Sequence, residues 1–181
     1  MKKIILISGK AQHGKDSTAD ILMQYLEGKS VKLAFADYLK YLATKFFNWN
    51  NIKDEQGREL LQKLGTDIIR DKLGWQNFHV DRICQDIKIA ENEYDYFLIP
   101  DTRRKNEIYI TKGMFPDKVI TIRVIRTDFK SPLTLEQQNH ISETDLDHFN
   151  FDYYVSCRTG LEYLEKEVQH LVKSLKLEGE I

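Results

Sequence analysis

Residues 3–18 read KIILISGKAQHGKDST. The apolar run Ile4 to Ile7 stops at Ser8 and Gly9, and after four further residues come Gly14 and Lys15. Strand, GxxxxGK and helix in that order form the context in which such a loop cradles phosphate. Gly9 and Gly14 accept positive φ, so the backbone between them can curl and point its N–H groups at one place. The helix starting near Gly14 adds the positive end of its dipole, and Lys15 carries a full charge to the terminal phosphates. Asp16, not Ser or Thr, follows the lysine, so the hydroxyl of Ser17 is the expected magnesium contact. A glycine turn that binds nothing is the bland alternative, and the strand before and helix after argue against it.

Composition fits one domain with a substantial core: 181 residues, 41% hydrophobic and 30% charged. A net charge of −1 and a pI of about 6.5 give no sequence-independent grip on nucleic acid, so an anionic ligand needs a local cluster of cations. Cys84 and Cys157 are far apart with no CxxC, the five histidines lack zinc spacing, and no run approaches a membrane span. The expectation is a cytoplasmic protein with reduced thiols and no membrane partner. The oligomeric state is not set by these features, and a homodimer stays open.

Strand and helix alternate along the chain. After the loop, Ala19, Leu22, Met23 and Leu26 form a helical stripe closed by Gly28. Val31 to Ala36 predicts a second strand, and Asp37 is placed to cap a helix with Leu39, Leu42, Ala43 and Phe46 on one face. Asp37 thus falls at the C-terminal edge of a strand, where open α/β sheets bind ligands. From Glu55 to Leu73 the pattern predicts one helix burying Leu60, Leu61, Leu64 and Ile68, interrupted by Gly65, which marks a break or a close approach. Gln62, Thr66 and Arg70 are four apart and share a face beside it. Spacing alone favours a solvated surface for these three. Val80, Ile83, Cys84 and Ile87 line a further helix.

Tyr96 to Pro100 predicts a third strand ending in Asp101, the pattern in which a carboxylate positions magnesium, often through water. Arg103 and Arg104 follow at once. Residues 117–126 give a fourth strand bearing Arg123 and Arg126, and these arginines are phosphate-clamp candidates, against a reading as surface ion pairs. The polar stretch 127–150 is an insertion placed to act as a lid. Phe151 to Ser156 is the fifth strand, and after Arg158, Thr159 and Gly160 a last helix has Leu161, Leu164, Val168, Leu171 and Leu175 on one side.

Taken together, GKAQHGKDST, AFADYLK, LLQKLGTDIIR with GWQNFHV, PDTRRKNE and HISE resemble bacteriophage-type deoxynucleoside monophosphate kinases, over nearly the whole chain and in the family's order. The resemblance implies a single α/β P-loop domain over 1–181. It would be a three-layer sandwich whose five-stranded parallel sheet carries helices on both faces, with a helical acceptor-binding region at 37–95 and a lid at 127–150. It implies ATP and Mg2+ as cofactors and a nucleoside monophosphate as the small-molecule partner. On the donor side it implies Gly9, Lys10, His13, Gly14, Lys15, Asp16, Ser17, Thr18, Thr159 and Gly160, with Ser17 and Asp101 toward the metal. For the acceptor it implies Asp37, Lys40, Gln62, Thr66, Arg70, Trp75, Arg103 and Glu143, and for catalysis Lys15, Asp101 and Arg126. Two departures bear on this assignment. Arg104 stands where the family commonly has a hydrophobic or aromatic residue. Lys130 is the only Lys or Arg between Arg126 and Arg158, so Arg126 is the first choice for the lid's catalytic cation.

The expected chemistry needs no general base, because a phosphate monoester loses its second proton near pH 6 and its attacking oxygen is already ionised. What remains is positioning and charge neutralisation with water excluded. Rival readings are a kinase of another small acceptor, of the dephospho-coenzyme A or phosphomevalonate type, a nucleotide-operated switch, or a non-catalytic nucleotide-binding module. The switch lacks the guanine-selecting NKxD tetrapeptide.

Overall fold

The computed structural model describes residues 1–181. Its centre is β1 (Lys3–Ser8), flanked in a five-stranded sheet of order β2–β3–β1–β4–β5 by β2 (Ser30–Lys32), β3 (Tyr96–Thr102), β4 (Val119–Arg126) and β5 (Tyr153–Cys157). Every pairing is parallel. A parallel sheet is covered on both faces, which explains why Ile4 to Ile7 form an unbroken apolar run with no exposed surface. Ile5 and Ile7 join α1 (Lys15–Tyr25) and α8 (Leu161–Leu177) in one core, whereas Ile4 and Leu6 join α4 (Phe78–Ala90) and α5 (Lys105–Met114) in the other. The result is the three-layer sandwich expected, and the five loops leaving the C-terminal ends of the strands gather at one edge.

A third, smaller core lies beyond that edge. Leu39 and Ala43 of α2 (Asp37–Phe47) meet Trp49, Leu64 and Ile69, the last two on a helix that begins as α3 (Glu55–Gln62) and continues as a π-helix over Lys63–Lys72. The single helix expected here therefore changes winding midway: Leu73 N–H donates to Ile68 C=O at 2.9 Å, five residues back. The wider turn buries Leu64 and Ile69, five apart, and leaves Ile68 only half-buried. Gly65 marks a close approach and not a break, since a Cβ there would stand 3.0 Å from Leu39 Cδ2.

Other elements differ from the pattern for identifiable reasons. β2 stops at Lys32 because Phe35 and Ala36 give their N–H groups to the Asp101 carboxylate (2.9 and 3.0 Å), not to a neighbouring strand. Asp37 lies inside the first turn of α2 and accepts from Ala34 N–H at 2.9 Å behind it, so it does not cap the helix. Pro100 sits within β3, yet its missing N–H is not needed: β2 ends opposite Leu98, and the β1 register shifts between Ile99 and Thr102. Phe46 and Leu161, at 68% and 65% exposure, fall outside the buried faces assigned to them. Between β4 and β5 the chain forms two short helices, α6 (Leu135–Asn139) and α7 (Ile141–Thr144), and turns back toward β1. Cys84 and Cys157 are free and buried in different cores. No helix is long and apolar enough to cross a membrane.

Candidate active site

The loop after β1 needs glycine at both ends, at one for a close approach and at the other for its backbone conformation. A Cβ on Gly9 would lie 2.6 Å from Val124 C=O, and Gly14 enters α1 with φ 92° in the left-handed region. Lys15 is buried, and its Nζ donates to Lys10 C=O at 2.8 Å across the loop. Burial first, and then the charge of Arg103, lower Lys15 to about 8.

In front of this loop is a cavity of about 440 Å³ whose walls come from the segments that follow β1, β2, β3 and β4. Ala11, Gln12, Lys15 and Asp16 form one wall; Leu39, Lys40, Gln62, Gly65, Thr66 and Arg70 form the opposite one. Asp101, Arg103 and Arg104 line the side, and Leu133, Gln137, His140 and Glu143 reach over from the insertion. The insertion is thus folded onto the cavity.

Its grip is electrostatic. Glu143 accepts from Ala11 N–H at 3.0 Å and from Arg103 Nη1, while Lys10 Nζ donates to Glu143 C=O at 2.6 Å and to Asp147 at 2.7 Å. A carboxylate therefore occupies a loop amide of the kind a phosphate would use. His140 Nδ1 accepts from Ser142 N–H at 3.2 Å, which caps α7 and aims Glu143.

At the far wall Arg70, 6% exposed, gives Nη2 to Glu107 Oε1 at 3.2 Å. Glu107 Oε2 also accepts from Arg103 and Arg104 N–H at 2.8 and 3.0 Å. Burial pushes Glu107 up to about 7 against the pull of those donors. Asp101 is likewise raised by burial, with the Ala36 and Phe35 amides opposing.

Several expected site residues stand elsewhere. Arg126 does not line the cavity: its Nη1 donates to Gln12 C=O at 3.1 Å and its guanidinium lies over Phe129, 4.9 Å from the ring centre. The arginine near Lys15 is Arg103 instead. Arg123 is spent on Ser8 Oγ (2.9 Å) and Asp147 (3.2 Å), fastening the base of the lid to β1. Trp75 is 55% exposed and stacks on Phe78, away from the cavity, and Asp37 pairs with Lys40 at 2.8 Å outside it. Thr18 is buried and its hydroxyl donates to Gly14 C=O at 2.9 Å. His13 accepts from Arg126 N–H at 3.2 Å and packs edge-on against Phe129. Thr159 binds Asp128 through N–H and hydroxyl, both at the β4–β5 ends, and Gly160 leads into α8. Lys53, Arg58, His79, Gln137 and His140 line the cavity without having been singled out. His79 and His140 lie inside the quoted GWQNFHV and HISE stretches, whereas Lys53 and Arg58 carry no sequence signal.

The donor set suits a nucleotide-bound Mg2+, which takes one or two protein oxygens and completes its shell with phosphate and water. Asp101 lines the cavity with both oxygens already accepting amides, so it would reach such an ion through water, while Ser17 lies in the first turn of α1 beside the cavity-lining Lys15 and Asp16. No cluster of three or more His, Cys, Asp or Glu forms an all-protein metal cage.

Glycine loop, buried lysine and a central five-stranded parallel sheet with helices on both faces define a P-loop kinase fold. Solved structures agree: a Mycobacterium tuberculosis APS kinase in complex with AMPPNP and APS superposes with a TM-score of 0.55 over 96% of this chain and 97% of its own, at 11% identity. Candida albicans thymidylate kinase gives 0.52 over 96% and 92%, at 15% identity. The family described as deoxynucleotide monophosphate kinase matches residues 37–168, and the chain belongs to it. The deoxynucleotide monophosphate kinase of Enterobacteria phage T4 is 30% identical over 131 residues, which is 70% of this chain and 49% of that protein. The chain thus spans about half the length of that relative. A phosphomevalonate kinase of Drosophila melanogaster is 25% identical over 98% of this chain and 99% of its own.

Proposed function

We propose that this protein transfers the γ-phosphoryl group of ATP to a deoxynucleoside monophosphate, giving the diphosphate and ADP. One observation carries the reading. Among the buried side-chain atoms without a hydrogen-bond partner, Arg70 Nη1 and His79 Nδ1 belong to residues lining the cavity that also holds Lys15, whereas Arg104 Nε is answered by Asp145 Oδ2 in an ion pair at 3.3 Å. Buried orphan polar groups are rare because each costs about 1–3 kcal/mol, and a pair of them around one cavity points to a missing ligand. Arg70 Nη1 is a guanidinium donor, which suits an anion.

On this reading the loop amides and Lys15 hold the donor phosphates, while Arg70, Arg103 and Arg104 orient the acceptor phosphate. An acceptor oxygen attacks the γ-phosphorus, the bond to the β–γ bridging oxygen breaks, and ADP leaves. Mg2+ near Asp101, when bound, would supply neutralisation of charge on the transferring phosphate. The lid excludes water, and Glu143 must yield Ala11 N–H to the donor as it enters.

A coupled ADP-release assay over deoxy- and ribonucleoside monophosphates tests this: ADP should appear with at least one deoxynucleoside monophosphate and hardly at all without acceptor. The full-length similarity to a phosphomevalonate kinase favours a second reading, so the same assay includes phosphomevalonate. Turnover with it alone would replace the first reading, and ATP use independent of any acceptor would remove both.

A further inference from the structure

His79, the second residue of α4, places a polar ring in an apolar setting. It is 5% exposed, packs edge-on against Phe78, faces the Gly65 backbone through its Nε2 side, and lines the acceptor half of the cavity beside Arg70. Its tautomer follows from these neighbours. A proton on Nε2 has the Gly65 backbone to meet, whereas a proton on Nδ1 would be a buried donor with no acceptor. Nδ1 is therefore a lone pair without a partner. Burial, then the charge of Arg70, bring the ring down to about 4, so it is neutral at physiological pH.

A neutral ring lone pair cannot serve a phosphate dianion, because both are acceptors. Arg70 answers the phosphate; His79 answers something else. We propose that His79 is a specificity-determining residue whose ring nitrogen accepts a hydrogen bond from an O–H or N–H on the non-phosphate part of the acceptor nucleotide. The donor is a sugar hydroxyl or a base N–H, the two such groups that a nucleotide offers. This rests on the nucleotide-kinase reading above.

The test compares wild type with His79→Phe, which keeps the ring shape and removes the lone pair, and His79→Gln, which keeps an acceptor. Three substrates are used: the best deoxynucleoside monophosphate, its 3′-deoxy analogue, and its analogue with the Watson–Crick base N–H methylated. His79→Phe should lower kcat/KM for the parent by roughly fivefold to a hundredfold. It should leave unchanged the analogue that already lacks the relevant donor, and that analogue identifies sugar or base as the source. His79→Gln should recover part of the loss, and KM for ATP should hold. Equal losses on parent and both analogues would reduce His79 to a packing residue and overturn the proposal. So would no loss at all, or an acceptor KM that climbs as pH rises through the ring's titration, which would mean a protonated ring on the phosphate. If wild type phosphorylates no monophosphate, the reading and the proposal fall together; if it does and the analogues show no selective response, the proposal alone falls.

Discussion

Lys15 must be charged to meet polyphosphate, yet burial and the neighbouring Arg103 lower it to about 8. The sign is direct: a lysine below its unfolded value of 10.5 loses its proton as pH rises through about 8. Because kcat/KM reports the free enzyme, kcat/KM for ATP should fall about tenfold per pH unit above that point. With nucleotide bound, the phosphates raise the lysine again, so kcat should stay level to higher pH. A kcat/KM profile flat to about pH 10 would remove Lys15 from donor binding. Arg70 asks for a subtler variant. Truncation to Ala takes away the charge partner of buried Glu107 and leaves it only the Arg103 and Arg104 amides, a loss of up to about 3–5 kcal/mol that would be read as unfolding. Arg70→Lys keeps the charge and loses the planar fork. It should lower kcat/KM for the monophosphate roughly tenfold with KM for ATP unchanged, as steady-state kinetics varying each substrate would record.

Among the elements, the segment after β2 depends on a residue 65 positions further along the chain, through the bond from Ala36 N–H to Asp101. Asp101→Asn turns one acceptor oxygen toward its amide as an NH2 group and leaves a buried donor unpaired, at about 1–3 kcal/mol. Thermal melting should drop by about 2–4 °C for each kcal/mol lost, and acceptor KM should rise as the loop beneath the acceptor wall loosens. A change confined to magnesium dependence would leave Asp101 with a metal role and no brace. The same bonds show where sequence reading ran out. β1, α1, α4 and the loop were legible because burial on both faces, or on one helical stripe, writes itself into local pattern. The short β2 was not, since its end is decided by a carboxylate from β3. Arg126 and Arg103 look alike as cations near strand ends, and only the fold of the lid, with Glu143 on Arg103, separates them.

For the molecule as a whole, charge is concentrated where it acts. Net charge is −1, but the cavity is lined by seven Lys or Arg side chains against four Asp or Glu, and two of those acids, Asp101 and Glu107, are pushed toward their neutral forms. Such a cleft focuses field on an arriving dianion. Raising salt from about 0.1 M to about 1 M shortens the screening length from about 10 Å to about 3 Å, so monophosphate kcat/KM should fall severalfold while melting temperature changes little. Salt-independent kinetics would show that the cations act only on contact.

The π-helix at Lys63–Lys72 carries a lesson for anyone counting along this chain. A segment wound with bonds five residues back holds one residue more than an α-helix of the same reach. Gln62, Thr66 and Arg70 all line the cavity across this change of winding, and Arg70 also reaches Glu107. Losing a single codon here would restore ordinary winding and swing Arg70 away from its carboxylate. Length variation at this one place is therefore a change of wiring, and a gap slid by one position in an alignment would pair Arg70 with the wrong residue.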